Sequence, residues 1–186
     1  RGMEGVERGA VKYIRINEHV PRPWANYNPH GNYWVGSRTH LGLKVQHGIV
    51  PVEEDGSAHF TVPADSNIFF QALDENYMEI QRERTFVNYR PGEVRSCVGC
   101  HEKTSEAPHT LISDYQPLAL KREPSEPGPQ PGEKTGRRTL HYPRDIQPIW
   151  DRHCIECHNG EKVKKPDLRG TETAQFSRSY LDLRWG

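Results

Sequence analysis

The sequence predicts a mixed β and α protein in two parts: a small antiparallel β-sandwich of immunoglobulin-like type, followed by a small helical domain. Three observations predict it. Six short segments rich in β-branched and aromatic residues lie between turn signals in the first half. Residues 121–136, "KREPSEPGPQPGEKTG", hold four prolines and three glycines with almost no apolar residue. Beyond them, apolar residues recur at helical spacing.

The strand segments run in order. "AVKYIRI" alternates Val11, Tyr13 and Ile14 with basic residues, and "GLKVQHGIV" carries Leu43, Val45 and Ile49. "SAHFTV", "NIFFQAL", "YMEIQRE" and "TFVNY" follow at short intervals. Between them stand Glu54-Asp55-Gly56, Pro63-Ala64-Asp65, Asp74-Glu75-Asn76 and Arg90-Pro91-Gly92, each a turn signal. Alternation in "SAHFTV" puts His59 with Ser57 and Thr61, opposite Phe60 and Val62. Glu53, Glu54 and Asp55 read as a solvated turn, with calcium binding or general-base work as the alternative.

Residues 20–40 fit neither period. Their Trp24, Tyr27, Tyr33 and Trp34 are read as an ordered loop that covers one end of the sandwich or walls a cofactor pocket. The expected boundaries are 1–95 for the β domain, 96–120 for a first attachment segment, 121–136 for a semi-extended linker and 137–186 for the helical domain. In the last, a proline precedes Ile146, Ile149 and Trp150 at helical spacing, and Phe176, Tyr180 and Leu183 form a stripe read as packing.

Composition sharpens the problem of stability. Only 33% of residues are hydrophobic, while Pro and Gly supply 31 of 186, so the protein core must be small. Lys plus Arg equals Asp plus Glu at 25 each, which removes a global pull towards nucleic acid. No stretch has the length of apolar residues that crosses a bilayer, and the first residues lack the apolar core of a secretory signal. Beginning at Arg1 and stopping at Gly186 without a closing element, the chain is expected to be a processed or excised piece of a longer product.

All four cysteines fall in two units, "CVGCH" at 97–101 and "CIECH" at 154–158. Cysteines three apart on a helical turn share a face, and the histidine lies four residues from the first. Such a unit can form two thioethers to one haem while the imidazole reaches the iron. Zinc ribbons space their pairs by about 15 to 20 residues; here 53 residues intervene, and zinc has no need of a histidine after each pair. A thioredoxin-type dithiol expects a βαβ context that this chain lacks. Disulfides within each unit would leave both histidines unexplained. The expectation is therefore two covalently bound haem c groups, tethered by Cys97 and Cys100 and by Cys154 and Cys157, with His101 and His158 as proximal ligands.

Covalent haem attachment places the chain in the periplasm, on the cell surface or outside the cell. Each porphyrin would also supply the apolar body that the composition lacks. The sixth ligands must come from the remaining histidines or from Met3 and Met78, with His109 and His141 the leading candidates for distal ligands. No residue is assigned a catalytic role, and nothing resembles a phosphate loop or a nucleophile elbow.

The stretch from Val50 to Glu102, with its "PVEEDGSAHF" and "GEVRSCVGCHE", resembles the middle domain of the hydrazine synthase alpha subunit family. "YPRDIQPIWDRHCIECHNG" followed by "PDLRG" is similar to the cytochrome c domain that comes next in such proteins. The resemblance covers most of residues 40–186 and implies a β domain, two haems and their attachment residues. It does not extend to the family's propeller domain or partner subunits, nor to the tyrosine one turn beyond the motif histidine, where this chain has Ser105. The preferred function is electron transfer with redox partner proteins. The rivals are a haem enzyme or enzyme subunit acting on small nitrogen or oxygen compounds, and a homo-oligomeric cytochrome filament.

Overall fold

The computed structural model describes residues 3, 5–20, 44–97, 116–161, 165–174 and 176–185. They belong to two compact units, one of Arg1–Pro21 with Lys44–Arg138, the other of Arg22–Leu43 with Thr139–Gly186.

The first unit is built on a five-stranded sheet in the order β4-β3-β1-β2-β5. Its strands are β1 (Tyr13–His19), β2 (Lys44–Pro51), β3 (Ile68–Leu73), β4 (Glu79–Arg82) and β5 (Arg138–Thr139), the last at the boundary between the units. β1 pairs antiparallel with both β2 and β3, and β3 with β4. Register follows the pattern of side chains. Ile14 faces Val50 and Ile16 faces Phe70, so apolar residues gather on one side. Ile16, Val50 and Ile68 are fully buried there, against Ile14, Phe60, Val62, Phe70 and Tyr89. Each such side chain contributes roughly 1.5–3 kcal/mol by leaving water. Phe60 meets Phe70 edge to face at 5.6 Å.

The opposite side is polar. Arg15 is half-buried, donating from Nη2 to Gln130 at 2.5 Å, and Asn17 donates to Gln71 at 2.9 Å. Gln46 donates to Glu133 at 2.9 Å, and Arg138 pairs with the same carboxylate at 2.7 Å. Burial pushes the Arg15 guanidinium down, opposed by Glu133 and Glu79. Asn17 and Gln46 are buried, and burial without such partners would cost each of them.

The sandwich expected from six strands is, among the described residues, one sheet. "SAHFTV" and "TFVNY" contribute only single bridges, Phe60 to Ser125 and Val87 to Ile68. A second sheet would pack on the apolar face, and there Phe60, Val62 and Tyr89 cover the core from segments that make only isolated bridges.

Residues 121–136, expected as a linker, are docked on that sheet. Ile49 and Gly128 exchange backbone hydrogen bonds of 2.9 and 3.0 Å, and Ser125 does likewise with His59 and Thr61 at 2.9 and 3.1 Å. Gly48 explains the close approach: at φ +132° it is open only to glycine, and a Cβ there would stand 2.5 Å from the Gly128 carbonyl oxygen. It follows a bulge, since Ile16 pairs with Gly48 and Asn17 with Gln46, which leaves His47 as the extra residue. His47 lies 2.8 Å from the Glu18 carboxylate.

The acidic turn has a structural task as well. The Asp55 carboxylate accepts the Leu118 N–H at 2.8 Å and the Ser57 hydroxyl accepts that of Ala119 at 3.0 Å, capping the short 3-10 turn Leu118–Lys121 from 63 and 62 residues away in sequence. Glu53 pairs with Arg122 at 2.7 Å. This replaces the solvated-turn reading for Glu53 and Asp55.

In the second unit a π-helical turn, Tyr142–Ile146, runs into α1 (Gln147–His153), and α2 (Arg178–Trp185) follows near the end. Trp150 donates to the Tyr142 hydroxyl at 2.9 Å, and Tyr180 packs edge to face on Tyr142 at 5.2 Å and against Phe176 at 5.0 Å. The stripe of Phe176, Tyr180 and Leu183 thus packs through its first two members, while Leu183 is exposed.

Candidate cofactor-attachment site

The second CxxCH unit grows out of α1. Cys154 leaves helical geometry but still donates its N–H to Trp150 at 2.9 Å, and its own carbonyl accepts the N–H groups of Cys157 at 3.2 Å and His158 at 2.9 Å. One continued turn therefore carries both cysteines and the histidine. Gly160, at φ +79°, then redirects the chain; a Cβ at that position would fall 2.7 Å from both Asp167 and Arg169.

The segment 166–170, "PDLRG", packs back on that turn. His158 accepts the Leu168 N–H on its carbonyl at 2.9 Å, and its Nδ1 lies 3.1 Å from the Pro166 carbonyl oxygen. A carbonyl can only accept, so the ring proton is assigned to Nδ1. The neutral ring then keeps a lone pair on Nε2, the nitrogen free to bind a metal.

Asp167 is buried and gripped by Arg169 through a fork, Nε to Oδ1 at 2.9 Å and Nη2 to Oδ2 at 2.7 Å. That hydrogen bond holds the Asp167 carboxyl below the usual carboxylate range. From α2, Asp182 accepts the Asp167 N–H at 2.8 Å and pairs with Arg178 at 2.9 Å.

Cys154 and Cys157 are free thiols, the first half-buried and the second exposed. Among the described residues no group of three His, Cys, Asp or Glu side chains converges as a metal site would require. What the turn offers is two thiols and one oriented imidazole. Those are the tethers and axial ligand that a c-type haem needs, and the same unit exposes Leu140, Ile149 and Leu183.

The first CxxCH unit is described only at Cys97, an exposed free thiol. Arg95 lies over the Tyr89 ring at 5.3 Å and pairs with Glu93 at 2.6 Å. Burial, and then Cys97, push the Tyr89 hydroxyl up. Cys100, His101, the candidate ligand His109, Ser105 and the aromatic loop at Trp24, Tyr27, Tyr33 and Trp34 lie outside the described residues. His141, the other candidate ligand, is exposed just before the π-helical turn, where Asp145 accepts its backbone N–H at 2.7 Å. His59 is partly buried, with Nδ1 enclosed and unpartnered, while Phe60 and Val62 on the other side of its segment reach the core as alternation predicted.

Sequence reasoning did not find Gln147, Asp167 or Ser179, which surround the histidine's support. The only signals were "PDLRG", which holds Asp167, and "YPRDIQPIWDRHCIECHNG", which holds Gln147, both quoted for resemblance rather than for geometry.

Residues 9–102, just over half of the chain, match the family described as hydrazine synthase alpha subunit middle domain. A curated relative, hydrazine synthase subunit alpha of Kuenenia stuttgartiensis, is 25% identical over 193 aligned residues, covering 74% of this chain. The chain spans about a quarter of that relative's length, 24%. Among solved structures, Kuenenia stuttgartiensis hydrazine synthase matches with a TM-score of 0.68 at 21% identity, over 96% of this chain and 30% of the other. At that identity the likeness is one of fold.

Proposed function

We propose, from the premise that this chain belongs to the hydrazine synthase alpha subunit middle domain family, that it is the haem-bearing part of a redox enzyme subunit acting on small nitrogen or oxygen compounds. The observation that carries the haem is the turn 154–158, with two free thiols beside an imidazole whose Nδ1 is committed to the Pro166 carbonyl. Family membership favours an enzyme subunit over the simple electron carrier expected from the sequence.

In this reading Cys154 and Cys157 tether one haem c and His158 ligates its iron through Nε2, while Cys97, Cys100 and His101 serve a second. A bound haem c supplies one-electron chemistry and, with an open axial position, a place for a small molecule. The protein's own contribution is to orient the imidazole and hold its proton on Nδ1. His109 and His141 are the candidate sixth ligands. Covalent attachment makes the location extracytoplasmic, and partner subunits complete the enzyme.

Mass spectrometry of the purified protein counts the attached haems. Absorption and paramagnetic resonance spectra, with and without carbon monoxide, then separate the functions. Carbon monoxide binding or a high-spin signal at one haem supports the enzyme. Two low-spin haems that ignore carbon monoxide return the chain to electron transfer, either as a carrier or, if it assembles with rising concentration, as a filament.

A further inference from the structure

Gln147 is a polar residue in the one place where α1 is buried. An aliphatic side chain of similar length serves a helix as well, so local folding gives no reason for an amide. Its contacts do. Nε2 donates to the Leu168 carbonyl at 3.0 Å and to Asp151 at 2.7 Å, and Oε1 accepts the Ser179 hydroxyl at 2.5 Å. Ser179 is wholly buried, so these bonds form away from water. The fit is tight: a Cβ at Gly170 would stand 3.0 Å from the Gln147 side chain.

The bond to Leu168 reaches the segment whose Pro166 carbonyl receives the His158 Nδ1 proton, while the other two tie Gln147 to Asp151 of α1 and to Ser179 of α2. α2 holds the same segment, with the Ser179 N–H donating to the Arg169 carbonyl at 3.1 Å and Asp182 accepting the Asp167 N–H at 2.8 Å. The buried amide thus joins α1, the segment 166–170 and α2 into one support behind the imidazole.

We propose that Gln147 is a positioning residue for His158, which with Ser179 and Asp182 fixes the Pro166 carbonyl against Nδ1 and thereby sets the reduction potential of the haem that His158 ligates. The inference rests on the reading that a haem is tethered at Cys154 and Cys157. A well-held acceptor on Nδ1 makes the imidazole a stronger donor through Nε2, which favours ferric over ferrous iron and lowers the potential. Loosening the support weakens that bond and raises the potential.

Gln147→Met and Ser179→Ala in the haem-loaded full chain test this. Both are neutral changes, so neither alters the charge near the iron. The potential in question is the one lost in a Cys154→Ser, Cys157→Ser chain. Both variants are expected to raise it, Gln147→Met more, and to accelerate hydrogen exchange at His158 Nδ1 by about fivefold, the change that about 1 kcal/mol produces. Lower thermal stability with potential and exchange unmoved overturns the proposal and leaves Gln147 a packing residue. Should Gln147→Met not fold, Ser179→Ala decides, because it leaves the Gln147 bond to Leu168 in place. A parent protein whose Cys154–Cys157 peptide carries no haem mass overturns the haem reading together with the inference, and that result is distinct from an unmoved potential.

Discussion

The two units meet the same shortage of apolar residues in different ways. In the first, Ile16, Val50 and Ile68 form a buried cluster on one side of the sheet, and a hydrogen-bonded layer of Arg15, Asn17, Gln71 and Gln130 occupies the other. In the second, the buried residues include Leu168 but also Gln147, Asp167 and Ser179, while Ile149 and Leu183 remain about half exposed at 49% each. A sheet can bury one face with a few β-branched residues. Two helices of seven and eight residues cannot enclose a core of that kind. The first unit is therefore stabilised by its own side chains, and in the second the haem proposed at Cys154 and Cys157 would supply the missing apolar body.

The sharpest way to break this contrast is to deny the second unit the haem proposed for it. A Cys154→Ser, Cys157→Ser chain should lose most amide protection in residues 139–185 while β1 to β3 keep theirs, read by hydrogen exchange. Equal loss in both units would end the distinction. Next in size, Ile68→Ala empties a fully buried position and should cost about 3 kcal/mol in urea unfolding of the first unit.

Two glycine replacements separate contact from composition in the docked segment. Gly48→Ala should cost about 2 kcal/mol, because its φ is positive and its new methyl meets the Gly128 backbone. Gly128→Ala has open space around the added carbon and should shift stability by no more than about 0.5 kcal/mol. Loss of the remote cap by Asp55→Ala should cost about 1 kcal/mol and free the turn at Leu118–Lys121, seen as faster exchange of the Leu118 amide.

The smallest effect is one of pH. His19 packs on Phe69 at 4.6 Å, and burial, then Lys44, hold its imidazole below the usual value of 6.5. Below that value the unfolded chain binds the proton more readily than the folded one. Stability is thus full above about pH 6.5 and declines as the pH falls towards the folded value. His19→Gln should flatten this slope in urea titrations between pH 8 and 5.

Much of the sheet was legible because β-branched and aromatic residues recur at short intervals. The segments around Tyr13, Val45, Phe69 and Ile80 became β1 to β4. "SAHFTV" has the same composition and makes one bridge, since strand pairing depends on a free neighbouring edge and not on propensity. The proline-rich stretch misled for a related reason. Its prolines and glycines were read as a semi-extended linker, whereas Gly136 and Gly48 allow backbones to touch: a Cβ at Gly136 would lie 3.0 Å from the His47 carbonyl.

The order Cys, two spacers, Cys, His was readable by itself, because a helical turn places those positions on one face whatever surrounds them. Short-range spacing likewise announced α1 before Cys154 and the turn signals between strands. Tertiary structure alone decided which carbonyl receives the His158 proton, where Gln147 and Ser179 meet, and which sheet edge the proline-rich segment joins. Each of those depends on residues far apart in the chain, Gln147 and Ser179 by 32 positions and Ile49 and Gly128 by 79. Polar side chains and glycines carry no periodic signal for such meetings; only the folded chain brings donor to acceptor.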